Sequence, residues 1–130
     1  MFLKFTMPIY KQKKNGKRLL LGWNQLACLN KYTKNSIKQW YHREVINKLK
    51  GTISEVYKGK YRVEIVLFYK NVRCDLSNVC SVADKFSLDA LQELGILEED
   101  NVKHAVEAHY RLGGCDKENP RVEIELWRVD

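Results

Sequence analysis

From Phe2 to Met7 apolar and polar residues alternate with the two-residue period of a strand, and Pro8 stands where it would end. The next run, KQKKNGKR, has no apolar face and carries an Asn15-Gly16 turn signal, which predicts a charged loop or hairpin tip. Leu19 to Leu29, with Trp23, Asn24 and Gln25 among apolar positions, follows neither period and reads as a loop leading into a helix. From Asn35, residues Ile37, Trp40, Tyr41, Ile46 and Leu49 recur at helical spacing, with Gly51 as a stop. Trp40 and Tyr41 fall on that apolar stripe and read as core rather than as base-stacking platforms.

Tyr61 to Tyr69, YRVEIVLFY, is the clearest strand, and its second half is apolar on both faces, which predicts a central place in a sheet. Asn78 to Leu94 reads as a helix with Val79, Val82, Ala83, Phe86, Ala90 and Leu94 on one side. Val102 to Tyr110 and Arg121 to Val129 read as two late strands, joined as a hairpin through Gly113, Gly114, Asp116, Lys117, Asn119 and Pro120. The order β-α-β-α-β-β predicts an α/β (α+β) fold, a small mixed sheet with two helices packed on it. With 130 residues there is room for a single domain, 1–130, and one core.

Charge narrows the partner. Lys and Arg total 23 against 16 Asp and Glu, a formal net charge of +7, which favours nucleic acid over an acidic metabolite, though ribosomal and membrane-surface proteins share that balance. No apolar run approaches membrane-spanning length and the N-terminus lacks a signal-peptide pattern, so no membrane is expected and the cytoplasm is the simplest location. Cys28, Cys74, Cys80 and Cys115 contain no Cys-x-x-Cys pair, which argues for reduced thiols rather than a zinc site. His42, His104 and His109 have no ligand spacing.

The chemistry concentrates between Arg73 and Asp100, RCDLSNVCSVADKFSLDALQELGILEED. Asp75 and Ser77 follow the strand, the helix carries Lys85, and an acidic turn ends in Asp100, so two distant carboxylates have a route to one site. Carboxylate-held Mg²⁺ both polarises a phosphate and activates a water. Each residue also has a plain reading. Asp75 or Ser77 fits a helix cap, Asp100 an ordinary acidic turn, and Lys85 an i,i+4 pair with Asp89 on a solvated face.

This stretch resembles the RusA-type Holliday-junction resolvases (crossover junction endodeoxyribonucleases) and their phage and prophage relatives. The likeness lies in the order Asp, Asn, Lys, Asp-Ala-Leu and acidic turn. It extends more loosely to Pro8, the Asn-containing segment before the first helix and the terminal Gly-Gly…Pro-Arg-Val-Glu-Ile. The resemblance implies a homodimeric, Mg²⁺-dependent endonuclease, with Mn²⁺ as a possible substitute, that resolves four-way or other branched double-stranded DNA by paired nicks in a bacterial host cell. It assigns Asp75 and Asp100 as metal carboxylates and Lys85 as the cation near the leaving oxygen, with Asn78, Asp89 and Glu99 in supporting positions.

Two departures stand out. Ser77 occupies the place of the family's second Asp, and Lys85 lies about one helical turn further from Asn78 than in the family. Asp84, about two turns from Ser77, is the available substitute ligand. DNA phosphates would be gripped by Lys11, Lys13, Lys14, Lys17 and Arg18 in the basic loop, by Lys31, Lys34, Lys38 and Arg43 near the first helix, and by Arg73. A catalytically silent branched-DNA-binding protein of the same fold is the alternative that Ser77 raises, and a protein-binding domain with a merely solvated basic surface is the third.

Overall fold

The computed structural model describes residues 1–52, 55–98, 101 and 103–130. In chain order the elements are β1 (Leu3–Pro8), β2 (Tyr10–Gln12), β3 (Arg18–Leu20), α1 (Trp23–Ala27), α2 (Lys31–Leu49), β4 (Lys60–Tyr69), α3 (Leu76–Glu93), β5 (Ala105–Cys115) and β6 (Arg121–Val129). The main sheet has the order β1-β6-β4-β5, and β2 and β3 form a separate two-stranded ribbon. The α/β reading holds, with a third short helix and the ribbon added between the opening strand and the long helix.

Alternation decides which face of the sheet is covered. Leu3, Phe5 and Met7 of β1, Val122, Ile124 and Leu126 of β6, and Tyr61, Val63, Ile65 and Leu67 of β4 are buried together with Ile37, Tyr41 and Val45 of α2 and Val79, Val82, Phe86 and Ala90 of α3. Both long helices therefore lie on that face. The opposite face is open and polar. On it Lys4 sits 3.6 and 3.7 Å from Glu123 and Glu125, Arg121 pairs with Glu123 at 3.0 Å, and Arg62 and Arg121 lie over the rings of Trp127 and Phe68.

β4 is central, antiparallel to β6 on one side and parallel to β5 on the other. This corrects the expected hairpin of the last two strands. β5 and β6 are separated by β4, so the segment after Cys115 crosses the end of β4 instead of folding back on its neighbour. Gly113 and Gly114 belong to β5 itself. α3 is the crossover between the parallel strands and runs against them, so its N-terminus lies at the carboxyl end of β4.

The helix boundaries have local causes. α2 begins earlier than its apolar stripe, because the Asn30 side chain accepts the Thr33 N–H at 2.9 Å and caps it. α3 begins at Leu76 because Asp75, not Ser77, is the cap residue. Tyr41 is buried as expected, with its hydroxyl 3.3 Å from the Ser87 Oγ, while Trp40 is only half-buried and has the Lys11 ammonium 5.2 Å above its ring. Among the described residues no helix is long and apolar enough to cross a membrane.

Candidate metal and nucleic-acid site

Asp75 has extended backbone angles, φ −102° and ψ 125°, which place its carboxylate over the first turn of α3. Its Oδ1 accepts the Asn78 N–H at 3.1 Å and the Ser77 hydroxyl at 3.2 Å. Both bonds fall on one oxygen of an exposed residue, and Oδ2 receives no donor from the described residues. The positive end of the α3 dipole adds to the anion-stabilising field there.

Asn78 has a different task. Its Oδ1 accepts the Asn24 N–H at 2.9 Å and its Nδ2 donates to the Gln25 Oε1 at 2.9 Å, so it caps α1 from 54 residues away. The cap position of α1 itself is Gly22, which has no side chain to offer. A β-carbon there would stand 2.2 Å from Asn78 Nδ2 and 2.5 Å from Gln25 Oε1. Glycine is required so that the asparagine can approach.

The basic loop folds as the β2–β3 ribbon, turning at Gly16 with φ +82°. It comes back beside the head of α3. The Arg18 guanidinium lies 5.9 Å from the Tyr10 ring centre. Burial, then the neighbouring Cys74 thiol, raise the Tyr10 hydroxyl above its usual range, while Arg18 pulls it down. The Cys74 thiol is itself raised by burial and then by Asp75. A cleft of about 260 Å³ lined by Pro8, Tyr10, Gln12, Arg18 and Pro120 opens at the end of the sheet where β4 finishes. The approach of the ribbon to the end of β4 that leads to Asp75 has no signal in the sequence.

The middle of α3 does not join this site. The helix is continuous, so Asp84 lies about 13 Å along the axis from Asp75 and Lys85 about 15 Å, well beyond a shared Mg²⁺ with ligands at about 2.1 Å. Asp84 instead accepts the Tyr110 hydroxyl at 2.5 Å, in a cleft between α3 and β5 lined by Val63, Ser81, Leu88 and Val106 among others. Burial and this bond raise the Tyr110 hydroxyl far above its usual range. Beneath it the Cys80 thiol is pushed up to about 12, first by burial. Asp84 as a stand-in metal ligand is therefore corrected, because the helical rise separates it from Asp75.

Lys85 makes the plain i,i+4 pair, 3.1 Å from Asp89, which also meets Lys38 of α2 at 3.4 Å. Asp89 thus ties two helices together. Glu99 and Asp100 lie outside the described residues. The described residues on either side are at the other end of the sheet from Asp75: Leu97 bridges Tyr57, Glu98 is 3.8 Å from His104, and the Asn101 carbonyl accepts the His104 N–H at 3.0 Å. Among the described residues no three His, Cys, Asp or Glu side chains converge as a metal group.

The expected phosphate contacts form two patches. Lys11, Lys13, Lys14, Lys17 and Arg18 occupy the ribbon, whereas Lys31, Lys34 and Lys38 rim an apolar groove of about 270 Å³ floored by Trp23, Leu26 and Phe86. Trp23 is 41% exposed and stands edge-on to Phe86, leaving an aromatic surface within reach of the lysines. Arg73 is exposed in the turn before Asp75, and Arg43 lines a separate shallow pocket with His42 and Glu93. No family model matches this chain, and no curated protein matches it.

Proposed function

We propose that the protein is a Mg²⁺-dependent endonuclease for branched DNA, working at the head of α3, as the resemblance to RusA-type resolvases implies. The observation that carries this reading is an exposed carboxylate, Asp75, at the same carboxyl end of the central strand as the cleft of the cationic β2–β3 ribbon. In open α/β sheets that end is where ligands are bound. A carboxylate and a hydroxyl, Asp75 and Ser77, form a hard oxygen donor set suited to a cation that keeps much of its water.

Asp75 would hold the metal through Oδ2, with Ser77 fixing the carboxylate by its bond to Oδ1. When bound, the ion would polarise the scissile phosphate and acidify a water. Arg18 would neutralise a phosphate oxygen on the ribbon side, a role its position supports better than that of Lys85. The resemblance assigns the second carboxylate to Asp100, but its described neighbours Glu98 and Asn101 lie at the other end of the sheet, so Asp75 is the one carboxylate this reading places at the head of α3. The lysines of the ribbon and of the Trp23 groove would grip the arms of the substrate through phosphates, so junction shape would count for more than sequence.

The silent binding protein is favoured by one observation, a serine hydroxyl on Asp75 where a second carboxylate would strengthen metal binding. A labelled four-way junction and a matched linear duplex, each incubated with Mg²⁺ or EDTA, separate the two. Metal-dependent paired nicks in the junction alone, lost in Asp75→Asn, support the nuclease. Salt-sensitive binding without nicks moves the answer to the silent binder, and no binding sinks both.

A further inference from the structure

The two basic patches differ in what lies beneath them. On the ribbon the cations cover the nearby rings themselves, Arg18 over Tyr10 and Lys11 over Trp40. At the start of α2 the aromatic surface is left open. Trp23 is 41% exposed, and among the described residues no cation lies over its ring. With Leu26 and Phe86 it forms the groove of about 270 Å³ that Lys31, Lys34 and Lys38 rim.

The rim is uncompensated at one end. Lys38 is 3.4 Å from Asp89, whereas Lys31 and Lys34 have no carboxylate partner among the described residues. Both lie at the start of α2, whose first turn contains no acidic residue. Cations there add to the positive end of the helix dipole instead of offsetting it. The arrangement is unfavourable until an anion arrives. An apolar hollow within a polar, charged rim is the form that interaction sites take on protein surfaces.

We infer that this groove docks an acidic peptide segment of another protein, with one bulky apolar side chain seated on Trp23, Leu26 and Phe86 and carboxylates on the lysines. Lys31, Lys34 and Lys38 recur at i, i+3 and i+7, a row about 10 Å long on one face of α2. An extended peptide covers that length in about three residues. Acidic residues on both sides of one Phe or Leu therefore meet the row while that side chain fills the groove. An apolar anchor in a pocket is where binding energy concentrates. DNA phosphates would use the lysines and leave the floor empty. A nucleobase stacks on an open ring face, whereas Trp23 meets Phe86 edge-on, with the ring planes at 83°. Such a partner lies beyond the nuclease reading and does not depend on it.

Fluorescence anisotropy of a fluorescein-labelled Gly-Asp-Asp-Phe-Asp-Asp-Gly peptide, titrated with the full chain without DNA or Mg²⁺, tests the docking. The wild type should bind it with a Kd of about 100 µM or tighter. Replacing the peptide's Phe by Ala should weaken binding about tenfold or more, and so should the double change Lys31→Glu and Lys34→Glu. Lys58→Glu, at an exposed position outside the groove, should leave binding within about twofold. Trp23→Ala should act like the peptide change. It also loses packing on Phe86, so the two exposed lysines carry the test if that variant does not fold. No binding by the wild type, or equal binding of the Phe and Ala peptides or of a Lys-Lys-Phe-Lys-Lys peptide, overturns the proposal. Tighter binding of oligothymidylate, weakened by Trp23→Ala as much as by the lysine changes, would give the groove to an unpaired nucleotide. A dimer that Trp23→Ala dissociates would give it to a second copy, and either result overturns the peptide. Failure here leaves junction cleavage untouched, so the two readings fail separately.

Discussion

At the head of α3, Asp75 is exposed and receives two donors on a single oxygen, whereas nine and fourteen residues on, Asp84 and Asp89 are held by Tyr110, Lys38 and Lys85. The two regions carry the same residue types. In the middle of the helix, neighbouring elements satisfy them, so they position helices and a strand. At the head, the carboxylate takes two capping donors on one oxygen, and a cationic ribbon lies at the same end of the sheet. A charged motif on a helix is chemistry only where the fold leaves a charge unspent and brings an opposite charge within reach.

The largest expected effect breaks the head alone. Asn is as good a helix cap as Asp, so Asp75→Asn keeps the bond from the Asn78 N–H and removes the charge. Junction cleavage should fall by about 10²–10³-fold, the usual scale for losing one strong electrostatic contact in an active site, with an unchanged urea midpoint. Asp75→Ala should lose the same activity and about 1 kcal/mol of stability as well, because the cap goes with it. Unchanged cleavage in Asp75→Asn, with the stability loss confined to Asp75→Ala, would show that Asp75 is only a cap.

The second effect is on stability. Asn78→Ala removes both bonds that hold α1 and leaves the Asn24 N–H without its cap, so urea denaturation should show a loss of about 2 kcal/mol. Gly22→Ala attacks the same contact from the other side and should cost a similar amount. The double variant should cost little more than either single one, since both remove one unit. Additive losses would mean that Gly22 and Asn78 act separately.

These residues also show why parts of the molecule were legible in sequence and others were not. β4, β6 and α3 are long and strongly periodic, so their own pattern fixes them, and β6 runs over the expected Arg121–Val129. β3 and α1 are only three and five residues long, and α1 depends on a cap from Asn78 that no local pattern announces. Adjacent late strands suggest a hairpin, yet the parallel pairing of β4 with β5 sends the chain across β4. Asp75 could be picked out as a carboxylate after a strand. Of the readings open to Lys85, the structure shows the i,i+4 pair with Asp89, and the place of the ribbon at the same end of the sheet as Asp75 comes from tertiary packing alone.

A third, smaller effect sharpens which cation serves the head. Arg18→Ala should weaken junction binding and cleavage about tenfold, through one charge-assisted phosphate contact. Lys85→Met should change cleavage less than threefold or so, because its ammonium lies about one to two helical turns beyond reach of a phosphate at Asp75. The log of binding affinity against log salt should lose close to one phosphate contact in the first variant and keep its slope in the second. The reverse order of effects would return Lys85 to the site.

Asp84→Asn should have the smallest effect on activity. The amide oxygen still accepts the Tyr110 hydroxyl, so the change replaces a charge-assisted bond with a neutral one and costs about 1 kcal/mol. Cleavage per folded molecule, and its Mg²⁺ dependence, should match the wild type, since no ligand of the head has been touched. The variant is the strictest control on the contrast between the two regions. It removes from the middle of α3 the same charge that Asp75→Asn removes from its head. If titrating Mg²⁺ showed a weakened requirement in Asp84→Asn, the head would not work alone, and the cleft between α3 and β5 would have to be part of the site.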